Sequence, residues 1–192
     1  MIYISNLDVQ AVGRRLGEYS KKAPTVIMRA LNRAAESAKT DIAKQATENY
    51  WVKSAEVKKT MTITKASKGK LLAVVTSKAT RRELTEFKVS PKKPMPKKPP
   101  KMVKVAVKKE GGLKELLGTF VQAGTSSGKL HVLQRATSKR YPIHIKYGPS
   151  VPEMIGANLS KRQFKRFVED KVKETYERRL DHEIARIIEG GR

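Results

Sequence analysis

Residues 116–154, LLGTFVQAGTSSGKLHVLQRATSKRYPIHIKYGPSVPEM, read as three short strands followed by a sharp exit. Segments 119–123 and 130–135 flank the five-residue loop Gly124-Thr125-Ser126-Ser127-Gly128, whose length and glycine content suit a β-hairpin. In 141–147, Ile143, Ile145 and Tyr147 fall on one face while His144 and Lys146 fall on the other. That alternation predicts a meander with one face buried. Gly148-Pro149-Ser150-Val151-Pro152 then stops the strand and delays any helix until Pro152, after which a long helix is expected.

That helix is assigned to 160–189. Ser160 and Gln163 form an S-x-x-Q capping box, and Phe164, Phe167, Val168, Val172, Leu180, Ile184, Ile187 and Ile188 recur as a broad apolar stripe ended by Gly190-Gly191. Toward the N-terminus, 25–49 carries Ile27, Leu31, Ala34, Ala38, Ile42 and Ala46 at threes and fours, with Pro24 suitably placed near its start. It reads as a core helix packed on a sheet. Segment 7–19 is a weaker amphipathic helix, on Leu7, Val12 and Leu16. Residues 57–65 are expected as a strand, with Val57, Met61 and Ile63 in register, and 71–75 as a short central strand after the turn at Gly69-Lys70. A further strand is assigned to 81–90 despite its poor alternation.

Between these lies PKKPMPKKPPK, residues 91–101, with five prolines and five lysines. Proline fixes φ and lacks the backbone donor, so this segment suits neither a sheet interior nor a helix, and an extended arm is its natural state. From Phe87 to Lys109 there is no acidic residue. The arm is therefore either a solvated loop or a contact for an acidic partner or a nucleic-acid backbone. Val103, Val105 and Val107 alternate with Lys104, Ala106 and Lys108 and return the chain to a strand, which Gly111-Gly112 redirects.

The 192 residues hold 42 Lys plus Arg against 18 Asp plus Glu, a formal net charge of +24. A chain so basic seeks a polyanion or an acidic protein surface, and its self-repulsion disfavours a partnerless monomer. The terminal helix is nearly neutral, with nine basic and seven acidic residues over 160–189, so the excess lies in the arm and the sheet. There Lys129, Arg135, Lys139, Arg140 and Lys146 have no acidic neighbour along the chain between Leu116 and Pro152. The absence of cysteine removes disulfides and thiolate metal sites. No basic-then-apolar leader opens the chain and no run approaches the roughly twenty apolar residues of a membrane helix, which predicts a soluble, unprocessed protein.

Catalytic motifs are lacking. Gly124 to Lys129, GTSSGK, resembles a phosphate-binding loop, but its glycine spacing is one residue short, Leu130 stands where Ser or Thr is needed, and a strand follows instead of a helix. His131, His144 and His182 show no metal-ligand spacing; His131 and His144 are expected on the wet or interfacial face of the meander. Asp170, Glu174, Glu177 and Asp181 have the helical spacing of ordinary salt bridges to Lys173, Arg178 and their neighbours. No cofactor, metal or catalytic residue is expected. Nucleic-acid binding is favoured by charge alone, since phosphate contacts need no motif, but the arm offers no aromatic ring on which a base could stack.

Ala30-Leu31-Asn32-Arg33-Ala34, then Gly118-Thr119-Phe120-Val121-Gln122, Leu130-His131-Val132-Leu133-Gln134-Arg135, Arg140-Tyr141-Pro142-Ile143 and Ser150-Val151-Pro152 before a terminal helix, resemble the prophage minor tail protein Z family. The likeness is close in order and spacing from about Leu116 onward and looser over the first long helix. In the middle only the basic character carries over. The resemblance implies a structural, non-enzymatic protein of lambda-like long-tailed phages. It would act in tail completion and head–tail joining at the head-proximal end of the tail, in the virion, after assembly in the host cytoplasm. It also implies a homo-oligomeric ring that meets other tail or neck proteins (tail terminator, tube or head connector subunits), with non-specific contact to phage DNA as a further partner and no membrane.

The expected fold is α+β: a mainly antiparallel sheet packed by a long helix in the N-terminal half and a long C-terminal helix, with a basic Pro/Lys arm. A single domain, 1–192, would comprise N-terminal helices at 1–50, a sheet at 55–147 carrying the arm at 88–101, and a helical segment at 152–189. The expected partner contacts are Lys92, Lys93, Lys97 and Lys98 of the arm, Arg135, Lys139, Arg140 and Lys146 of the meander, and Ser150, Val151 and Pro152 at its exit.

Overall fold

The computed structural model describes residues 2–5, 8–95, 102–124, 128–159 and 162–190; within 158–167 it describes the helical backbone and, of the side chains, that of Arg166 alone. In chain order the elements are β1 (Ile2–Ser5), α1 (Val9–Leu16), a 3-10 stretch (Gly17–Lys22), α2 (Ala23–Asn49), α3 (Ser54–Lys59), β2 (Met61–Thr64) and β3 (Leu72–Ser77). A 3-10 turn (Leu84–Glu86) leads to β4 (Lys88–Ser90), β5 (Val103–Ala106), β6 (Lys114–Leu116), β7 (Thr119–Ala123), β8 (Leu130–Arg135), β9 (Ile143–Ile145), α4 (Val151–Leu159) and α5 (Arg162–Glu189). The class is α+β, as the sequence implies. The strands divide into three antiparallel sheets of three, ordered β1-β3-β2, β4-β5-β6 and β7-β8-β9.

The chain forms two compact units. The first comprises Met1–Lys44, Lys58–Lys78 and Ile155–Arg192; the second comprises Gln45–Val57 and Ala79–Met154. In the first unit, α1 is capped by Asp8, whose Oδ1 accepts from the Ala11 amide at 2.7 Å. This satisfies a donor that helical bonding leaves free. The α2 positions Ile27, Leu31, Ala34, Ala38, Ile42 and Ala46 are all buried, so the 3.6-residue period identified its face correctly. Asn32 ties α2 to the chain between β2 and β3: its amide donates to the Ala66 carbonyl at 3.1 Å and accepts from the Ala66 amide at 2.7 Å. β3 is the central strand of its sheet, paired with β1 through Tyr3↔Val74 and with β2 through Ile63↔Val75.

In the second unit Val103, Val105, Val121, Val132, Phe87, Leu84, Tyr50 and Met154 form one core. β7 and β8 occupy the residues the sequence assigns them, with Val121 opposite Val132. The loop positions 125–127 lie outside the described residues. The chain at 82–84 runs beside the end of the meander, where the Leu84 amide donates to the Lys146 carbonyl and the Gly148 amide to the Arg82 carbonyl. Gly148 is required at that exit, because a Cβ there would come within 2.7 Å of the Phe87 ring.

Several expectations are corrected. Val57 lies on α3, not in a strand; Lys59 breaks the period-two pattern, and Ala55, Glu56 and the two lysines favour a helical turn. Residues 81–90 supply a 3-10 turn and the short β4. The N-terminal region is not helical throughout, since β1 alternates an exposed Tyr3 with a buried Ile4. Tyr147 is 52% exposed and leaves the face it should share with the half-buried Ile143 and Ile145, because the strand ends at Ile145. Two helices, α4 and α5, follow the exit in place of one, and α4 begins at Val151, one residue before Pro152. Ile188 is 41% exposed, whereas Val168, Leu180 and Ile184 are buried as expected. The proposed Ser160–Gln163 cap and the side chains of Phe164 and Phe167 lie outside the described residues.

A cap forms ten residues earlier, at Ser150. The Ser150 hydroxyl accepts from the Glu153 amide at 3.3 Å while the Glu153 carboxylate accepts from the Ser150 amide at 2.7 Å. This is a reciprocal capping box at the start of α4. The Ser150 amide, the Ser150 hydroxyl and Arg81 together hold Glu153 below the ordinary carboxylate value despite some opposing desolvation.

Candidate functional site

The expected contact residues belong to the second unit, in two groups. Lys92 and Lys93 are exposed just after β4, whose Ser90 pairs with Lys104 of β5. Lys97 and Lys98 lie outside the described residues. The same edge carries an aromatic–cation assembly that sequence reading missed. Trp51 is 37% exposed and lies under two ammonium groups, Lys88 Nζ at 4.6 Å and Lys109 Nζ at 5.5 Å from its ring centre. Backbone pairing puts it there: the Trp51 amide donates to the Val107 carbonyl at 3.0 Å and the Lys109 amide to the Asn49 carbonyl at 2.9 Å. Each ammonium at such a distance is attracted by the ring quadrupole. The two lysines lie at the ends of the acid-free stretch, but nothing local in the sequence joins them to residue 51.

The second group sits on the meander. Arg135 Nη1 donates to the Arg140 carbonyl at 2.6 Å, and its guanidinium stands 5.2 Å from the Phe120 ring centre. The Arg140 guanidinium lies 5.7 Å from the ring of Tyr141, which is 65% exposed. The Ala136 amide donates to the Pro142 carbonyl and the Lys139 amide to Thr137 Oγ1, so this short connection is closed on itself while Lys139 and Arg140 face water. Lys146 is half-buried. No ion pair or hydrogen bond joins these residues to Lys92 or Lys93 among the described residues. Ser150 and Val151 are buried, and Pro152 half-buried, so this triplet shapes the exit from within instead of offering a free surface.

Lys129 behaves differently from the other meander cations, because residues 46 positions away reach it. Glu83 accepts from Lys129 Nζ at 2.8 Å and bonds His131 Nδ1 at 2.7 Å. Of the wet or interfacial face expected for both histidines, His144 is exposed, whereas His131 is half-buried as a partner of Glu83. Burial pushes the Glu83 carboxyl up, but hydrogen bonds and positive charge from Lys129 and His131 outweigh it and leave the group below its ordinary value. The bond to Glu83 correspondingly raises Lys129. Arg82 bonds Glu86 at 2.6 Å and approaches Glu56 at 3.8 Å. Among the described residues no three His, Asp or Glu side chains are placed to hold a metal ion, and no helix is long and apolar enough to cross a membrane.

These features define a strongly basic α+β protein in which Lys88, Lys109, Arg135 and Arg140 rest on rings, an arrangement suited to contact with another macromolecule. The chain belongs to the prophage minor tail protein Z family, whose model matches residues 9–189, and so to the structural proteins of the phage tail. No curated protein and no solved structure matches it.

Proposed function

We propose that the protein acts in tail completion and head–tail joining, at the head-proximal end of the tail. The two units work as one functional domain, since the family match runs through both. In this reading the chain assembles as a homo-oligomeric ring that meets tail terminator, tube or head connector subunits. The observation that carries the reading is the basic surface of the second unit, where Arg135, Arg140, Lys92 and Lys93 make no salt bridge among the described residues and Arg135 and Arg140 lie against rings. Such charge steers encounter with an acidic surface and is weakened by salt. Complementation of a phage lacking the protein tests it. Arg135→Gln with Lys139→Gln, Arg140→Gln and Lys146→Gln should leave soluble protein intact and lower the yield of joined particles, whereas normal yield overturns the surface assignment.

A second reading, sequence-independent contact with DNA, is favoured by Trp51 between Lys88 and Lys109, because it adds a ring to a basic edge. Binding to duplex DNA with a steep salt dependence supports that reading. Co-purification with tails that survives nuclease treatment supports the first.

A further inference from the structure

An open groove of about 690 Å³ lies in the first unit, between one face of α2 and one face of α5. From α2 come Arg33, Glu36, Ser37 and Thr40, at spacings of three and four; from α5 come Thr175, Arg178 and Arg179. Three guanidiniums thus share the groove with one carboxylate. None of these four charged groups makes a salt bridge among the described residues, in a unit where Arg15, Arg29 and Arg186 all find carboxylates. Thr175 is 8% exposed, lines the groove, and its hydroxyl has no hydrogen-bond partner among the described residues. The hydroxyl is open to the groove and not shut away from water, since among the described residues Arg82 Nε is the one buried side-chain polar atom left without a partner. The other two hydroxyls are turned to their own helix, Ser37 toward Asp41 at 3.4 Å and Thr40 toward the Glu36 carbonyl at 3.2 Å.

Planar guanidiniums present forked donors that match the oxygens of a phosphate. Glu36 opposes a bare anion but accepts hydrogen bonds, which suits a ligand carrying hydroxyl or amino donors beside its phosphate. The volume is far larger than a single phosphate and lies in the roughly 300–1,000 Å³ range of small-molecule sites. We propose that this groove binds a nucleotide phosphate through Arg33, Arg178, Arg179 and the Thr175 hydroxyl. The nucleotide is either free or the terminal residue of a strand, and the site does not depend on the assembly role proposed above.

The test is fluorescence anisotropy of the full-length chain with labelled adenosine monophosphate and with a labelled 12-nucleotide single strand, each competed by inorganic phosphate. Binding of the mononucleotide should fall about tenfold in Arg178→Gln with Arg179→Gln, and several-fold in the charge-neutral Thr175→Val, in line with loss of hydrogen bonds to a charged group. Lys92→Gln with Lys93→Gln, which removes the same charge elsewhere, should leave it unchanged. Arg33→Gln, on the exposed face of α2, provides a second loss-of-binding variant should the α5 pair fail to fold. A strand that binds more tightly than the mononucleotide, with the same sensitivity to Thr175→Val, identifies a strand end as the source; equal affinity identifies the free nucleotide. Absence of mononucleotide binding, equal weakening by the lysine and arginine pairs, or indifference to Thr175→Val overturns the proposal.

Discussion

In the first unit, cations meet carboxylates between and along helices: Arg15 reaches Asp181 at 2.6 Å and Arg29 reaches Glu183 at 3.2 Å across helices, and Arg186 holds the same Glu183 at 2.8 Å within α5. In the second unit Lys88 and Lys109 rest on Trp51, Arg135 on Phe120 and a carbonyl, and Arg140 on Tyr141. A guanidinium or ammonium on a ring or carbonyl is oriented without being neutralised. The difference teaches that Lys88, Lys109, Arg135 and Arg140 are held in place without a salt bridge among the described residues, while Arg15, Arg29 and Arg186 are paired; elsewhere in the second unit Arg82, Lys104 and Lys129 also meet carboxylates. The groove bearing Arg33, Arg178 and Arg179 also keeps its cations free of salt bridges among the described residues.

The sharpest way to break this comparison is through the cores. Val132 is fully buried in the second unit, and Val132→Asp places an unpaired charge there at a cost of several kcal/mol, on the order of 3 or more. Leu31→Ala in the first unit should cost about 2–5 kcal/mol through the cavity it leaves. Hydrogen exchange should show each substitution deprotecting amides of its own unit first; uniform deprotection by both would make the units one cooperative body.

Next in size is the Glu83 cluster. Glu83→Gln should destabilise the second unit by about 1–2 kcal/mol, because the half-exposed Lys129 and the more buried His131 lose a charged acceptor. The pH dependence has a definite sign. Glu83 has a lowered folded value, so its contribution is fully present above its unfolded value near 4.5 and is lost as pH falls through the folded one. Urea melts between pH 6 and the acid range should therefore lose this increment in the wild type and show a smaller loss in Glu83→Gln, to be checked at about half-unit steps.

A smaller effect is expected at the α4 cap. Ser150→Ala should cost about 1 kcal/mol in thermal melts while leaving helix content near wild type. If the exit geometry serves assembly, the same variant should also lower particle yield more than this stability loss explains. The smallest stability effect belongs to Lys92→Gln with Lys93→Gln, within about 0.5 kcal/mol, since both side chains are exposed. A salt-dependent drop in particle yield without a change in melting would separate contact from folding at this edge.

The sequence was most informative where a period repeats. The α2 face follows from its spacing, because burial of one face imposes that spacing on the chain, while the β7–β8 hairpin follows from its loop length and glycines and the central β3 from an apolar run bounded by polar residues. It was least informative where short elements meet. SAEVKK satisfies both a turn of helix and the start of a strand, and only its surroundings selected the helix. The capping box S-x-x-E was present at Ser150–Glu153, yet the prolines around it drew the helix start later than it is.

The amino-acid order by itself determined the family, the α+β class and the concentration of basic residues, since these rest on motif order, periodicity and composition. Tertiary structure alone decided how the basic residues are deployed. Glu83 meets Lys129 and His131 across 46 and 48 positions, and Trp51 meets Lys88 and Lys109 across 37 and 58. Over such separations a side chain has no local preference for its partner. The pairing is fixed by strand register, which the burial of Val103, Val121 and Val132 selects.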